Sequence, residues 1–176
     1  YLSFHPTQQA DWNECLALAK TTRVKGVLWE MFGLYNNYVT AMREIIKLNP
    51  KSDLTDILLM RAVNIEEEKF NGNPGNDLTK QKELSEKIDK SLVAFLDEMS
   101  ATNTSNNPVI WHMSAAYVNY LKQNFAMGDK QLKLAERYSK TSNMIKSQYH
   151  LISLVGKVAR INDLTPKVET ELLTDL

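Results

Sequence analysis

The chain of 176 residues carries 21 basic and 21 acidic side chains, so its formal charge is zero; 43% of its residues are hydrophobic, and it has six glycines, five prolines and one cysteine. That length suits a single domain able to bury its own core, and Cys15 alone can build neither an intrachain disulfide nor a multi-cysteine zinc or iron–sulfur site. No apolar run approaches the roughly 20 residues that span a bilayer as a helix, the charge balance lacks the basic excess of a dedicated nucleic-acid binder, and low glycine and proline favour helices over turn-rich β folds.

Apolar residues recur at helical spacing through nearly the whole chain, with no sustained strand-type alternation, which predicts an all-α domain. After His5-Pro6-Thr7, the residues Trp12, Cys15, Leu16 and Ala19 fall on one face of a first helix, which places the Cys15 thiol in the core. Thr22 is positioned to cap a second, with its stripe at Val24, Val27, Leu28, Met31 and Tyr35, ended by Asn36-Asn37. A third carries Tyr38, Met42, Ile45 and Ile46 and stops at Asn49-Pro50, because proline disfavours a helical conformation in the residue before it. Ser52 or Asp53 opens a fourth whose wide stripe, from Leu54 through Leu58, Leu59 and Ala62 to Ile65, requires neighbours on two sides. Arg61 lies within this apolar helix, to be snorkelling or tied to a carboxylate, and Glu66-Glu67-Glu68 closes it as a solvated end, since consecutive residues point about 100° apart.

Asn71 to Asp77 is a turn cluster, and Asp77 caps the next helix, predicted to run unbroken to about Met99 on a narrow seam of Leu84, Ile88, Leu92, Phe95, Leu96 and Met99. A polar loop contains the sequon-like Asn103-Thr-Ser105, read as loop. Pro108 then opens a helix apolar at Trp111, Met113, Ala116, Tyr117, Tyr120, Leu121 and Phe125. Gly128-Asp129 is read as the following turn, leading to a helix with Leu132, Ala135 and Tyr138; a break near Thr141 to Asn143 precedes another from Met144 to Arg160. Gly156 inside that helix points to close approach of a neighbour. Thr165-Pro166 starts a last helix with no stop signal before Leu176. About nine helices joined mostly by short turns follow, sequence neighbours packing antiparallel. The domain spans 1–176, divisible into 1–71 and 77–176 at the 71–77 turn, and the start at Tyr1 together with the open last helix is read as a piece of a longer chain.

Two stretches resemble a tetratricopeptide repeat. In the first, Gly26 and Trp29 precede Gly33-Leu-Tyr-Asn-Asn-Tyr38, then Ala41 and Ile45 to Pro50; in the second, Trp111, Ala115, Ala116 and Tyr117 precede Gly128-Asp129, then Ala135 and Tyr138. The spacings depart from the regular repeat, so the resemblance implies an irregular TPR-like right-handed α-solenoid, or a helical bundle, that holds a polypeptide partner on a variable surface. The whole is also similar to portions of large exported bacterial proteins of unknown function built from helical repeats, which implies a periplasmic or cell-surface location over a cytoplasmic one. Neither resemblance assigns a functional residue.

Tyr35, Tyr38, Trp111 and Tyr117 are the candidate partner-binding residues, because Tyr and Trp anchor interfaces with little entropy loss. The charge balance conceals one basic stretch: from Gly128 to Arg160 seven basic residues face two acidic ones. Lys130, Lys133, Arg137 and Lys140 form one helical ridge, and Lys146, His150, Lys157 and Arg160 another. These ridges are either ordinary solvated faces or a site for an acidic protein or a polyanion. His5, His112 and His150 occupy separate segments without metal-ligand spacing, and no G-x-S-x-G, P-loop or G-x-G-x-x-G occurs, so no metal or cofactor is expected. The reading is a non-catalytic helical-repeat segment for protein–protein interaction or scaffolding. Its alternatives are an all-α enzyme or small-ligand binder whose pocket lies between helices and, more weakly, a polyanion-binding module.

Overall fold

The computed structural model describes residues 8–70, 77–102, 104–138 and 142–174, and among these it holds ten α-helices and no strand. They are α1 (Gln9–Leu18), α2 (Thr22–Tyr35), α3 (Tyr38–Leu48), α4 (Leu54–Glu68), α5 (Leu78–Glu86), α6 (Lys90–Thr102), α7 (Pro108–Leu121), α8 (Phe125–Glu136), α9 (Asn143–Val158) and α10 (Pro166–Thr174). The predicted turn residues 71–76, the sequon asparagine Asn103, Lys140 and His5 lie outside the described residues.

Local chemistry sets most helix starts. An N-cap side chain accepts an otherwise unpaired amide of the first turn: Thr21 from Val24 (3.2 Å), Asn37 from Thr40 (2.7 Å), Asp77 from Lys80 (3.0 Å), Ser142 from Ile145 (3.2 Å) and Thr165 from Val168 (3.3 Å). The cap of α2 is thus Thr21 and not Thr22. At α4 the residue in the N-cap position is Asp53, which makes no side-chain cap bond, while Ser52 Oγ accepts from the Leu54 amide at 3.4 Å.

Helix α7 is the spine. Ten of its fourteen residues are buried, on every side of the helix, which requires neighbours all round. On one side Trp111, Ala115 and Val118 join the main core with Met42 and Ile45 of α3, Leu58, Leu59 and Ala62 of α4, and Leu92, Phe95 and Leu96 of α6. On the other, Val109, Met113, Ala116 and Tyr120 pack on Leu132 and Ala135 of α8 and on Ile145, Tyr149 and Ile152 of α9. Helix α1 is fastened to α2 by an edge-to-face contact of Trp12 with Phe32 (centroids 5.1 Å apart). Helix α2 approaches α3 and α4 closely because Gly33 has no side chain: a β-carbon there would stand 2.7 Å from that of Ala41 and 2.9 Å from Leu58. The packing is compatible with a layered helical bundle and does not display the regular repeat of a solenoid.

Three sequence expectations are corrected. The helix predicted from Asp77 to Met99 is two, α5 and α6, because Asp89 is drawn out of the helix: its carboxylate accepts from the Ser91 amide (2.8 Å) and hydroxyl (2.7 Å) and the Leu92 amide (3.4 Å), while its own amide donates to Glu66 Oε2 (3.0 Å). Gly128-Asp129 is no turn but lies inside α8. The turn sits at 122–124, where Gln123 takes the left-handed φ of 61° and the amides of Gln123 and Asn124 bond to the carbonyls of Tyr120 and Asn119, closing α7 in the double-bonded C-terminal motif usually completed by glycine. Cys15 is not in the core but only half-buried on α1. Arg61 is exposed on α4, which agrees with a snorkelling side chain.

Glu66 is the fullest departure from expectation. It is not solvated but wholly buried (0% exposed) at the end of α4. Its Oε2 accepts from Lys69 Nζ (2.6 Å) and from the Asp89 amide, and the Tyr38 hydroxyl shares one proton between Glu66 Oε1 (3.2 Å) and Asp89 Oδ2 (2.8 Å). Lys69 also donates to the Lys87 carbonyl (2.9 Å), so one carboxylate joins α3, α4 and the α5–α6 junction. Removing one partner of a buried charge strands the others: Glu66→Ala is expected to lower unfolding free energy by about 3 kcal/mol in urea titration, and Glu66→Gln by less, since its amide oxygen still accepts from Asp89.

Asp89 adds a pH dependence. Burial pushes its carboxyl up, but the hydrogen bonds from Ser91, Tyr38 and Leu92 outweigh this and hold it below the ordinary value of 3.8. Its contribution is therefore complete above about pH 4 and is lost as the pH falls through the lowered folded value. Between pH 5 and pH 2 the urea midpoint of the native chain should fall more steeply than that of Asp89→Asn.

Candidate functional site

The two layers on either side of α7 differ in how completely they are covered. In the second layer Tyr120 is the contact point of three helices. Its ring fills the space left by two glycines: a β-carbon on Gly128 of α8 would stand 2.3 Å from it, and one on Gly156 of α9 2.6 Å. The close helix approach expected from Gly156 is thus to Tyr120 of α7. Arg160, just past α9, closes the arrangement by donating to Asp129 Oδ1 (2.6 Å) and to the carbonyls of Gly156 (2.6 Å) and Phe125 (3.4 Å), with its guanidinium carbon 4.7 Å from the Phe125 ring centroid and 5.4 Å from that of Tyr120. The Tyr120 hydroxyl donates to the same Asp129 oxygen at 3.0 Å. Burial and that carboxylate push the Tyr120 hydroxyl up to about 12, with Arg160 pulling the other way.

Beside this clamp a groove of about 670 Å³ opens, lined by Tyr120 and Leu121 of α7, by Leu154, Val155 and Val158 of α9, and by Phe70, Gln81, Leu164 and Leu172 from other segments. Its apolar lining continues along α9. Met144, Leu151 and Val158, seven residues apart, are 74%, 53% and 48% exposed, and Leu154 stands half-buried beside them. Seven residues are close to two helical turns, so the three form one straight seam. Isolated exposed apolar residues need no explanation, whereas these three share one face of α9 and lead, at Val158, into the groove. Helix α10 has no buried residue of its own, and its Val168, Glu171 and Leu172 line a smaller cavity together with Lys157, Arg160 and Ile161.

The residues singled out in the sequence are placed as follows. Trp111 is 1% exposed and packs edge-on to Phe95 (5.7 Å), so it presents no surface. Tyr38 belongs to the Glu66 junction, and burial together with Asp89 holds its hydroxyl far above the ordinary tyrosine value. Tyr117 donates to Glu67 Oε1 (2.8 Å) between α7 and α4 and is raised likewise by burial and by that carboxylate. Tyr35 is exposed at the end of α2. Lys133 and Arg137 are exposed on α8, and Lys146 and Lys157 on α9, whereas Arg160 is engaged by Asp129. His112 is buried, its Nδ1 2.9 Å from Gln131 Oε1.

Nothing in the sequence marks Tyr120, Met144 and Leu151: the seven-residue spacing is legible there, but not which apolar side of α9 meets α7. Among the described residues no group of three or more His, Cys, Asp or Glu side chains could hold a metal ion, and no helix is long and apolar enough to cross a membrane. Arg61 is not among the residues lining the groove.

The Tyr120 contact sets a specific expectation. Alanine is the better helix former by about 1 kcal/mol, yet Gly156→Ala is expected to destabilise the chain by about 1–3 kcal/mol, because its β-carbon overlaps a ring held from both sides. Combining it with Tyr120→Leu should cost less than the two separate losses together, a non-additivity that a double-mutant cycle in urea measures. No known protein family, curated protein or solved structure matches the chain.

Proposed function

We propose that the chain is a non-catalytic helical docking domain that receives a polypeptide segment along the α9 seam and its adjoining groove. The observation that carries this reading is the uncovered line of Met144, Leu151 and Val158 running into an open, largely apolar groove. The same seam can serve as the face on which a further helical hairpin stacks, as in TPR-like arrays. Two observations support that kinship: α2 with α3, and α7 with α8, are the most extensively packed neighbouring pairs, and they coincide with the two TPR-like stretches. Each pair has a glycine at the contact, Gly33 and Gly128.

The expected behaviour is binding of an uncharged amphipathic peptide of about 20 residues, with leucines at heptad spacing and glutamines elsewhere, with a dissociation constant of order 10 μM. Leu151→Glu, at an exposed position, should leave thermal unfolding unchanged and weaken that binding at least about tenfold, read by fluorescence anisotropy. No binding, or binding indifferent to Leu151→Glu, would sink the docking reading.

A further inference from the structure

We infer that the segment received by this seam is an acidic amphipathic helix, an inference that rests on the docking reading above and names the chemistry of its partner. Residues on α9 advance about 100° each, so the helix has three edges. Ile145, Tyr149, Ile152 and Gly156 face α7 and α8. Met144, Leu151 and Val158 form the uncovered seam. Lys146, His150 and Lys157, all exposed, form the third edge, about 120° round from the seam. A helix laid along the seam therefore has one flank above these bases.

Most of the charge between Gly128 and Arg160 has the same sign. Lys133 is exposed on α8 and Arg137 just past its end. Of the two acids in that stretch, Asp129 pairs with Arg160, which cancels one base as well, and Glu136 is exposed on α8, so the bases still outnumber the acids. The chain as a whole is neutral, so the excess here is a local property of this face. A basic partner would set like charges against one another along its whole flank, whereas an acidic one is steered and oriented by them.

Helix α10 contributes Val168, Glu171 and Leu172 to the cavity that Lys157 and Arg160 also line, with Glu171 4.0 Å from Lys167 of its own helix, and it leaves Met144, Leu151 and Val158 exposed. At 1.5 Å per residue the seam from Met144 to Val158 runs about 21 Å. The full occupant is accordingly a helix of about four turns with apolar residues on one stripe and Asp or Glu on the flank facing Lys146 and Lys157.

Three peptides of one leucine pattern test this: the glutamine peptide above, one with four glutamates on one flank, and one with four lysines there. In anisotropy titrations at about 50 mM salt the glutamate peptide is expected to bind at least about tenfold more tightly than the lysine peptide, a gap that shrinks several-fold at about 0.5 M salt. Leu151→Glu should abolish the binding of the glutamate peptide with thermal unfolding unchanged, and Lys146→Glu with Lys157→Glu should reverse the charge preference. Equal binding of all three peptides, still lost in Leu151→Glu, would overturn the acidic assignment while leaving the docking site standing; no binding by any peptide would remove both. A single-stranded 20-nucleotide DNA binding as tightly and indifferent to Leu151→Glu would make the basic edge a polyanion site and overturn the inference. Self-association of the chain that competes with the peptide and disappears in Leu151→Glu would do the same in favour of a second copy.

Discussion

The constraint on which the rest of this molecule depends is the burial of α7 on all sides. A helix apolar on one stripe needs one neighbour, whereas a helix buried round its circumference must lie between two layers. Here the first layer is α3, α4 and α6, which close a core around Trp111, Ala115 and Val118. The second is α8 and α9, held to α7 through Tyr120 and the two glycines that admit its ring. Among the described residues, α9 keeps Met144, Leu151 and Val158 exposed while Ile145, Tyr149 and Ile152 pack toward α7 and α8.

The first layer is organised as much by charge as by packing. The Glu66 carboxylate is placed where water cannot reach it, and it is tolerated because every group around it donates: a lysine, a backbone amide and a shared tyrosine hydroxyl. These donors come from three separate segments, so the network specifies which helices meet and breaks the helix that would otherwise run through Asp89. Nearby, Arg43 pairs bidentately with Glu98 (3.1 and 2.6 Å) and lies 4.6 Å above the Phe95 ring, which adds a second polar tie between α3 and α6 on the exposed side. The two ties differ in kind, the buried one setting register and the exposed one contributing modestly.

The second layer is organised for a different end. Its internal polar groups are consumed close to α7: Asp129, Arg160 and the Tyr120 hydroxyl satisfy one another, and His112 meets Gln131. What remains outward on α8 and α9 is a line of apolar side chains and an edge of lysines. The basic stretch seen in the sequence thereby acquires a context, since Lys146 and Lys157 stand on the same helix as the exposed Met144, Leu151 and Val158.

The amino-acid sequence by itself determined the all-α class, the starts of α3, α5, α7 and α10 and the end of α3 at Asn49-Pro50. Each of these depends on residues within about one helical turn, on caps, proline geometry and periodicity, and each is in that sense local. Only the tertiary structure decided that Glu66 is buried, that Asp89 breaks a helix, that Gly128 sits inside α8 and that Trp111 is core while Leu151 is surface. Glu66 meets Tyr38 and the Asp89 amide across 28 and 23 residues of sequence, and Gly128 is tolerated in a helix because Tyr120 needs its space. Such partners are brought together by packing between helices. The periodicity of a single helix shows that it has an apolar face, but when both flanks are apolar, as in α9, the choice between core and surface belongs to the neighbour that fits.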